Sequence, residues 1–195
     1  MRQVIEELKS LRSEEIEPNN LKIKLSKFDF TNVEYLSFLE DKGFDDYYRV
    51  VIMDSPLRVI LNVWPPQYQL PTHQHNNFWG YVAVLKGLIT ETAFVFDSDS
   101  NQLLCHPPKS YQKGEVIFEP LNVIHHLQNP SPSKPLVTAH FYYPRVYDYN
   151  GTMIFDLKKR ILAELNEKAP GVSWNHPAEF YSRIEEQAFD VVNLW

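Results

Sequence analysis

The pattern of apolar and polar positions changes rhythm along the chain. At the start, Val4, Ile5, Leu8 and Leu11 recur at helical spacing with charged residues between them, predicting a helix that Pro18-Asn19-Asn20 ends. Thr31-Asn32-Val33-Glu34 has the form of a capping box and predicts a second helix carrying Leu36 and Leu39, closed by Gly43. From Tyr47 to about Tyr143 the runs shorten to β-type segments separated by Pro, Gly, Asn and Asp. Strands are predicted over residues 48–53, 57–64, 80–85, 89–96, 102–105, 116–118, 123–127 and 137–143. Asp54-Ser55-Pro56 and Asp97-Ser98-Asp99-Ser100-Asn101 read as turns between them.

About eight short strands at this spacing predict an all-β core, folded as a closed double-sheet barrel instead of a flat open sheet. Residues 152–157 add one more strand, and 159–167 read as a helix broken at Ala169-Pro170-Gly171. The remaining tail carries Trp174, Phe180 and Trp195, too many large aromatics for a free linker. It is expected to pack back on the barrel or on a second subunit. The organisation is one domain over 1–195: a helical N-terminal segment (1–45), a barrel (46–157) and a helical C-terminal extension (158–195).

Composition narrows the partners. A chain of 195 residues can bury a sizeable core, and 44% hydrophobic against 23% charged residues is an ordinary globular balance. A formal net charge of -6 with scattered Lys and Arg argues against a nucleic-acid partner. No apolar run approaches the roughly 20 residues of a membrane span, and the acidic, amphipathic start does not read as a signal peptide. Cys105 is the single cysteine, so no internal disulfide can form; a reducing cytoplasm is the expected compartment, and a monomer or homodimer the expected state.

The candidate chemistry lies in the histidines. His73 and His75 stand at i and i+2, which on a strand turns both imidazoles to one side. A third imidazole from a later strand, His125, could complete one face of a metal's coordination sphere and leave the opposite face open to substrate. His126 competes for that third place but faces the other side of its strand. His106 and His176 read as loop and tail residues. Cys105 reads most simply as a small buried apolar residue.

These segments resemble the cupin superfamily. The first cupin signature runs here as His73-Gln74-His75, four residues, Gly80, then six residues to Gly87. The second places Gly114, Pro120, His125 and Asn129 in register, with Asn122 in place of the middle glycine. The resemblance implies a cupin double-sheet (jelly-roll) barrel. The glutamate usual in the first signature is absent, and Gly80 takes its place. Three neutral imidazoles leave a divalent metal its full charge and room for about three further ligands in octahedral geometry.

That three-histidine pattern resembles the cysteine dioxygenase family of thiol dioxygenases. Tyr47-Tyr48-Arg49 lies upstream of a strand ending in Trp64, nine residues before His73, as in that family. The resemblance implies that Arg49, with Tyr47, grips a substrate carboxylate, a task that suits a planar guanidinium fork. Thr138-Ala139-His140-Phe141-Tyr142 resembles the family's Ser-x-His-x-Tyr relay, with Thr138 orienting His140 and His140 orienting Tyr142 at the reacting centre. Animal members join a cysteine to the relay tyrosine; Gly80 stands at that cysteine's position, as in many bacterial relatives. The implied activity is an Fe(2+) dioxygenase that converts a small carboxylated thiol and O2 to a sulfinate. L-cysteine is the first choice of substrate and 3-mercaptopropionate the nearest alternative.

Other readings stand beside these. Arg49 could pair with Asp45 or Asp46, and a bulge could exchange Tyr142 with Tyr143. The same metal site could serve non-thiol chemistry, or the barrel could bind a small ligand without turnover.

Overall fold

The computed structural model describes residues 1–39 and 43–195. Its first helix, α1 (Arg2–Lys9), buries Val4, Ile5 and Leu8, as the spacing predicts. Pro18 does not end a helix but starts one, α2 (Pro18–Leu25), because proline at the first helical position has no N–H to lose and a pre-set φ. The expected second helix does not form at the capping-box residues. Asp29 takes the Thr31 amide (3.0 Å), the Thr31 hydroxyl (2.5 Å) and the Asn32 amide (2.7 Å), building a local turn instead. Only a 3-10 turn over Leu36–Phe38 follows, and residues 40–42 of the expected helix lie outside the described residues.

The strands run in chain order as β1 (Tyr48–Met53), β2 (Arg58–Trp64), β3 (Thr72–Gln74), β4 (Trp79–Lys86), β5 (Leu88–Asp97), β6 (Gln102–Cys105) and β7 (Lys109–Gln112). Then come β8 (Val116–Glu119), β9 (Ile124–Gln128), β10 (Leu136–Tyr143), β11 (Met153–Asp156), β12 (Ile161–Leu165), β13 (Tyr181–Glu185) and β14 (Asp190–Asn193). One sheet has the order β1-β2-β10-β4-β8; the other runs β13-β12-β11-β3-β9-β5-β6-β14, with β7 added against β5. Among the described residues no ladder joins the two sheets. The barrel is therefore a pair of curled sheets about a shared interior, a half-barrel and not the closed wall expected.

The C-terminal extension is a correction. It is not helical: residues 159–167 give β12, and the tail adds β13 and β14 with one 3-10 turn over Ala178–Phe180. The sequence misleads here because both faces of β12 are covered. Leu162 packs with Phe155 and Phe189, while Ala163 and Leu165 pack with Ile154, Trp174 and Phe180. A doubly buried strand loses the alternation that marks a half-buried one, and its apolar spacing imitates a helix. The aromatic tail does pack back on the barrel, as expected, with β14 extending the sheet in parallel beside β6.

Alternation in the five-stranded sheet positions the site. Val59, Leu61 and Val63 of β2, Tyr81, Ala83 and Leu85 of β4, and Val137, Ala139 and Phe141 of β10 share a core with the residues of α1 and α2. The residues between them, including Asn62, Trp64, Thr138, His140 and Tyr142, face the interior.

Candidate metal centre

His73 and His125 are direct cross-strand partners in the β3–β9 ladder. His75 follows just beyond β3, its amide bonded to the Val123 carbonyl at 2.9 Å and its carbonyl accepting the Asn122 amide at 2.6 Å. Asn122 has φ 65°, so the position where the cupin signature has glycine does need left-handed backbone, which asparagine tolerates better than most residues. Asn129 donates to the carbonyls of Trp64, Pro65 and Lys134, and so ties loops together instead of reaching the site.

All three imidazoles are buried, and one ring nitrogen from each lies within 4.8 Å of the others, a group that could hold a metal ion. Their outer nitrogens are tied back. His73 Nδ1 donates to the Pro71 carbonyl (2.8 Å) and His125 Nδ1 to Glu91 Oε1 (2.9 Å), which turns each Nε2 inward. Burial, then the His125 charge, pushes His73 down to about 3 and holds His75 well below the ordinary imidazole value. Both therefore present lone pairs at neutral pH. Burial opposes charge on His125 as well, but its hydrogen bond to Glu91 and the Glu119 charge carry its value upward. The 3.2 Å contact between His75 Nε2 and His125 Nε2 needs a proton between two acceptors, and a cation can take that proton's place. His126, as expected, faces away, among Gln69, Leu157 and Trp195.

The group opens on a cavity of about 300 Å³ lined by His73, His75, Arg49, Asn62, His140 and Tyr142, among others. Arg49 faces this space; burial opposes its charge, and hydrogen bonds with the hydroxyls of Tyr149 and Tyr147, not Asp45 or Asp46, support it. Tyr47 stacks on Tyr68 at 4.4 Å and meets the edge of Trp64 at 5.4 Å. On β10, Thr138 Oγ1 lies 2.8 Å from His140 Nε2, and His140 Nδ1 lies 2.6 Å from the Tyr142 hydroxyl. Tyr142 is buried and turned inward; its neighbour Tyr143 packs on Trp79 in the helix-side core, so no bulge exchanges them. Burial, then the Glu119 carboxylate, keeps the Tyr142 phenol protonated, and burial, then the Arg49 charge, keeps His140 neutral. Gly80 pairs with Tyr142 across β4 and β10, and a Cβ there would strike the Tyr142 ring and the Phe141 carbonyl.

The sequence reading missed four contributors. Asn62 sets Nδ2 3.1 Å from His140 Nε2, while its Oδ1 has no partner among the described residues. It is the polar residue inside an otherwise apolar strand, a signal the sequence does carry. Glu91 and Glu119 back the histidines, and burial pushes Glu119 up to about 7 against the pull of His125. The tail supplies Pro170, Gly171, Val172 and Ser173 as a cap over the cavity, with Tyr181 donating to the Ser173 carbonyl at 3.0 Å.

Residues 13–153 match the family described as cysteine dioxygenase type I. The chain belongs to that family. The match takes in all three histidines, Arg49 and the Thr138–Tyr142 run of this cysteine dioxygenase family member, and stops short of the capping tail. Similar solved structures include an uncharacterised conserved protein with a double-stranded β-helix domain from Klebsiella pneumoniae, at 14% identity and TM-score 0.43, covering 64% of this chain and 99% of that one. An oxalate decarboxylase from Lactobacillus farciminis matches at 17% identity and TM-score 0.43, over 54% of this chain and 31% of the other. A Schizosaccharomyces pombe cupin domain matches at 10% identity and TM-score 0.39, over 49% of this chain and 58% of that domain. Among the described residues no helix is long and apolar enough to cross a membrane.

Proposed function

We infer that this chain is an iron(II)-dependent thiol dioxygenase of a reducing cytoplasm, adding both atoms of dioxygen to the sulfur of a small carboxylated thiol, L-cysteine first, to give the sulfinate. The observation that carries this reading is the meeting of three elements in one cavity: a cluster of three buried imidazoles, a guanidinium, and a hydrogen-bonded Thr138–His140–Tyr142 chain. Inward-turned Nε2 atoms with depressed proton affinity fit a divalent cation. A ferrous ion held by His73, His75 and His125 would supply the oxygen-activating redox chemistry.

The protein's own groups do the rest. Arg49, with Tyr47 beside it, binds the carboxylate and fixes the sulfur end toward the histidines. The direction of the relay follows from its donors. The Trp64 indole, which can only donate, gives its N–H to Thr138 Oγ1 at 2.9 Å. That leaves the Thr138 proton, together with Asn62 Nδ2, for His140 Nε2. His140 Nδ1–H then donates to the Tyr142 oxygen, and the phenolic proton, for which Glu119 is the resting acceptor, can turn to the reacting sulfur. The cap and the aromatic walls Phe78, Tyr68 and Tyr149 exclude water from the cavity.

The test is dioxygen uptake by iron(II)-loaded protein offered L-cysteine, 3-mercaptopropionate and cysteamine in turn. Uptake matched mole for mole by sulfinate from a carboxylated thiol is expected. No uptake with any thiol, despite bound iron, refutes the reading.

A further inference from the structure

Glu119, the last residue of β8, is the fully buried carboxylate nearest the histidine group, and neither of its oxygens has a hydrogen-bond partner among the described residues. Its Oε2 lies 3.8 Å from His75 Nδ1 and its Oε1 3.9 Å from His125 Nδ1, so the carboxylate stands behind both rings with one oxygen turned to each. It is paired on β4 with Gly80, whose missing side chain makes room for the Tyr142 ring beside it. His75 Nδ1 is itself buried and without a partner among the described residues, whereas His73 and His125 already donate to Pro71 and Glu91.

We propose that Glu119 is a positioning residue of the metal centre, placed to accept a hydrogen bond from His75 Nδ1–H when a cation sits at that ring's Nε2 and, with Glu91, to supply the negative charge that balances a divalent cation. The inference rests on the metal-centre reading above, but not on the choice of thiol. Three neutral imidazoles bring no charge of their own. Two carboxylates behind them bring two, which makes the site neutral with a dication in place. Glu119 faces the Nδ1 side of the rings, away from the Nε2 atoms that meet at 3.2 Å, so it acts through the histidines and not as a further ligand. In the metal-free protein a buried carboxylate supported only by the nearby Tyr142 hydroxyl is a cost to folding, and a cation at the histidines removes that cost.

The experiment titrates metal-free full-length protein with cobalt(II) against a competing chelator, for the unmodified chain and for Glu119→Gln and Glu119→Leu, and records the thermal transition of each metal-free protein. The expected result has opposite signs. Glu119→Gln binds cobalt about 10- to 100-fold more weakly and Glu119→Leu more weakly still, while the metal-free variants melt at or above the temperature of the unmodified chain. Unchanged cobalt affinity in Glu119→Leu overturns the proposal. So does metal-free stability that falls in step with affinity, which would make Glu119 a purely structural group. No cobalt binding by the unmodified chain overturns the metal centre and the Glu119 role with it.

Discussion

Arg49 and Tyr142 divide the work of the cavity, and their substitutions separate in kinetics. Arg49→Ala removes charge-assisted hydrogen bonds worth about 1.5–3 kcal/mol each, so KM for carboxylated thiols should rise at least tenfold while cysteamine, which has no carboxylate, is unaffected. Steady-state kinetics on the two substrate types checks this; equal effects on both would count against the carboxylate role. Tyr142→Phe keeps the ring packing but removes the hydroxyl that ends the relay, so kcat should drop by about 10²- to 10⁴-fold with KM little changed. His73, His75, His125, Arg49 and the Thr138–Tyr142 run could be picked out because motifs of the resembled family hold them at fixed offsets along the chain. Glu91 and Glu119 could not, because they meet the histidines only through cross-strand register and burial, which no local spacing records; Asn62 showed only as a polar residue in an apolar run.

Single elements explain where the reading of the chain broke down. The eight expected barrel strands all form; all but Gln102–Cys105 carry β-branched or aromatic residues, and that one follows the Asp97–Asn101 turn. β3 is short, and β7 lies at the surface with little apolar content, so neither announced itself as a strand. The cap held by Tyr181 depends on the pairing of β13 with β12, the strand whose apolar spacing imitates a helix. Tyr181→Phe removes one anchoring hydrogen bond, about 0.5–1.5 kcal/mol, and amide exchange over residues 170–176 should quicken while the β10 amides stay protected. On β4, Gly80→Ala drives a methyl into the Phe141 carbonyl and the Tyr142 ring. The backbone oxygen cannot swing aside, so the denaturation midpoint should fall, corresponding to about 1–3 kcal/mol.

The buried titratable groups set how the whole molecule responds to acid. His73, His75 and His140 are all held below 6.5 in the folded chain, so unfolding takes up protons and stability falls as pH drops from 6.5 toward the His73 value of about 3. Glu119 works in the other direction: its contribution is full below 4.5 and is lost as pH rises through about 7. Between pH 4.5 and 6.5 His73 alone offsets Glu119, and the downward shifts of His75 and His140 tip the balance, so the metal-free Tm should climb across that interval. A flat or falling profile would contradict the neutral histidine cluster. The same molecule also contains a partition. In β2, β4 and β10, odd-numbered side chains belong to the helix side and even-numbered ones to the cavity side. A replacement at one position touches one compartment only. A one-residue insertion inside β10 would exchange the two, sending Thr138, His140 and Tyr142 under the helices and apolar side chains into the cavity. This wall can drift by replacement but not by change of length, so relatives should vary in length at its connecting loops while β10 keeps its count.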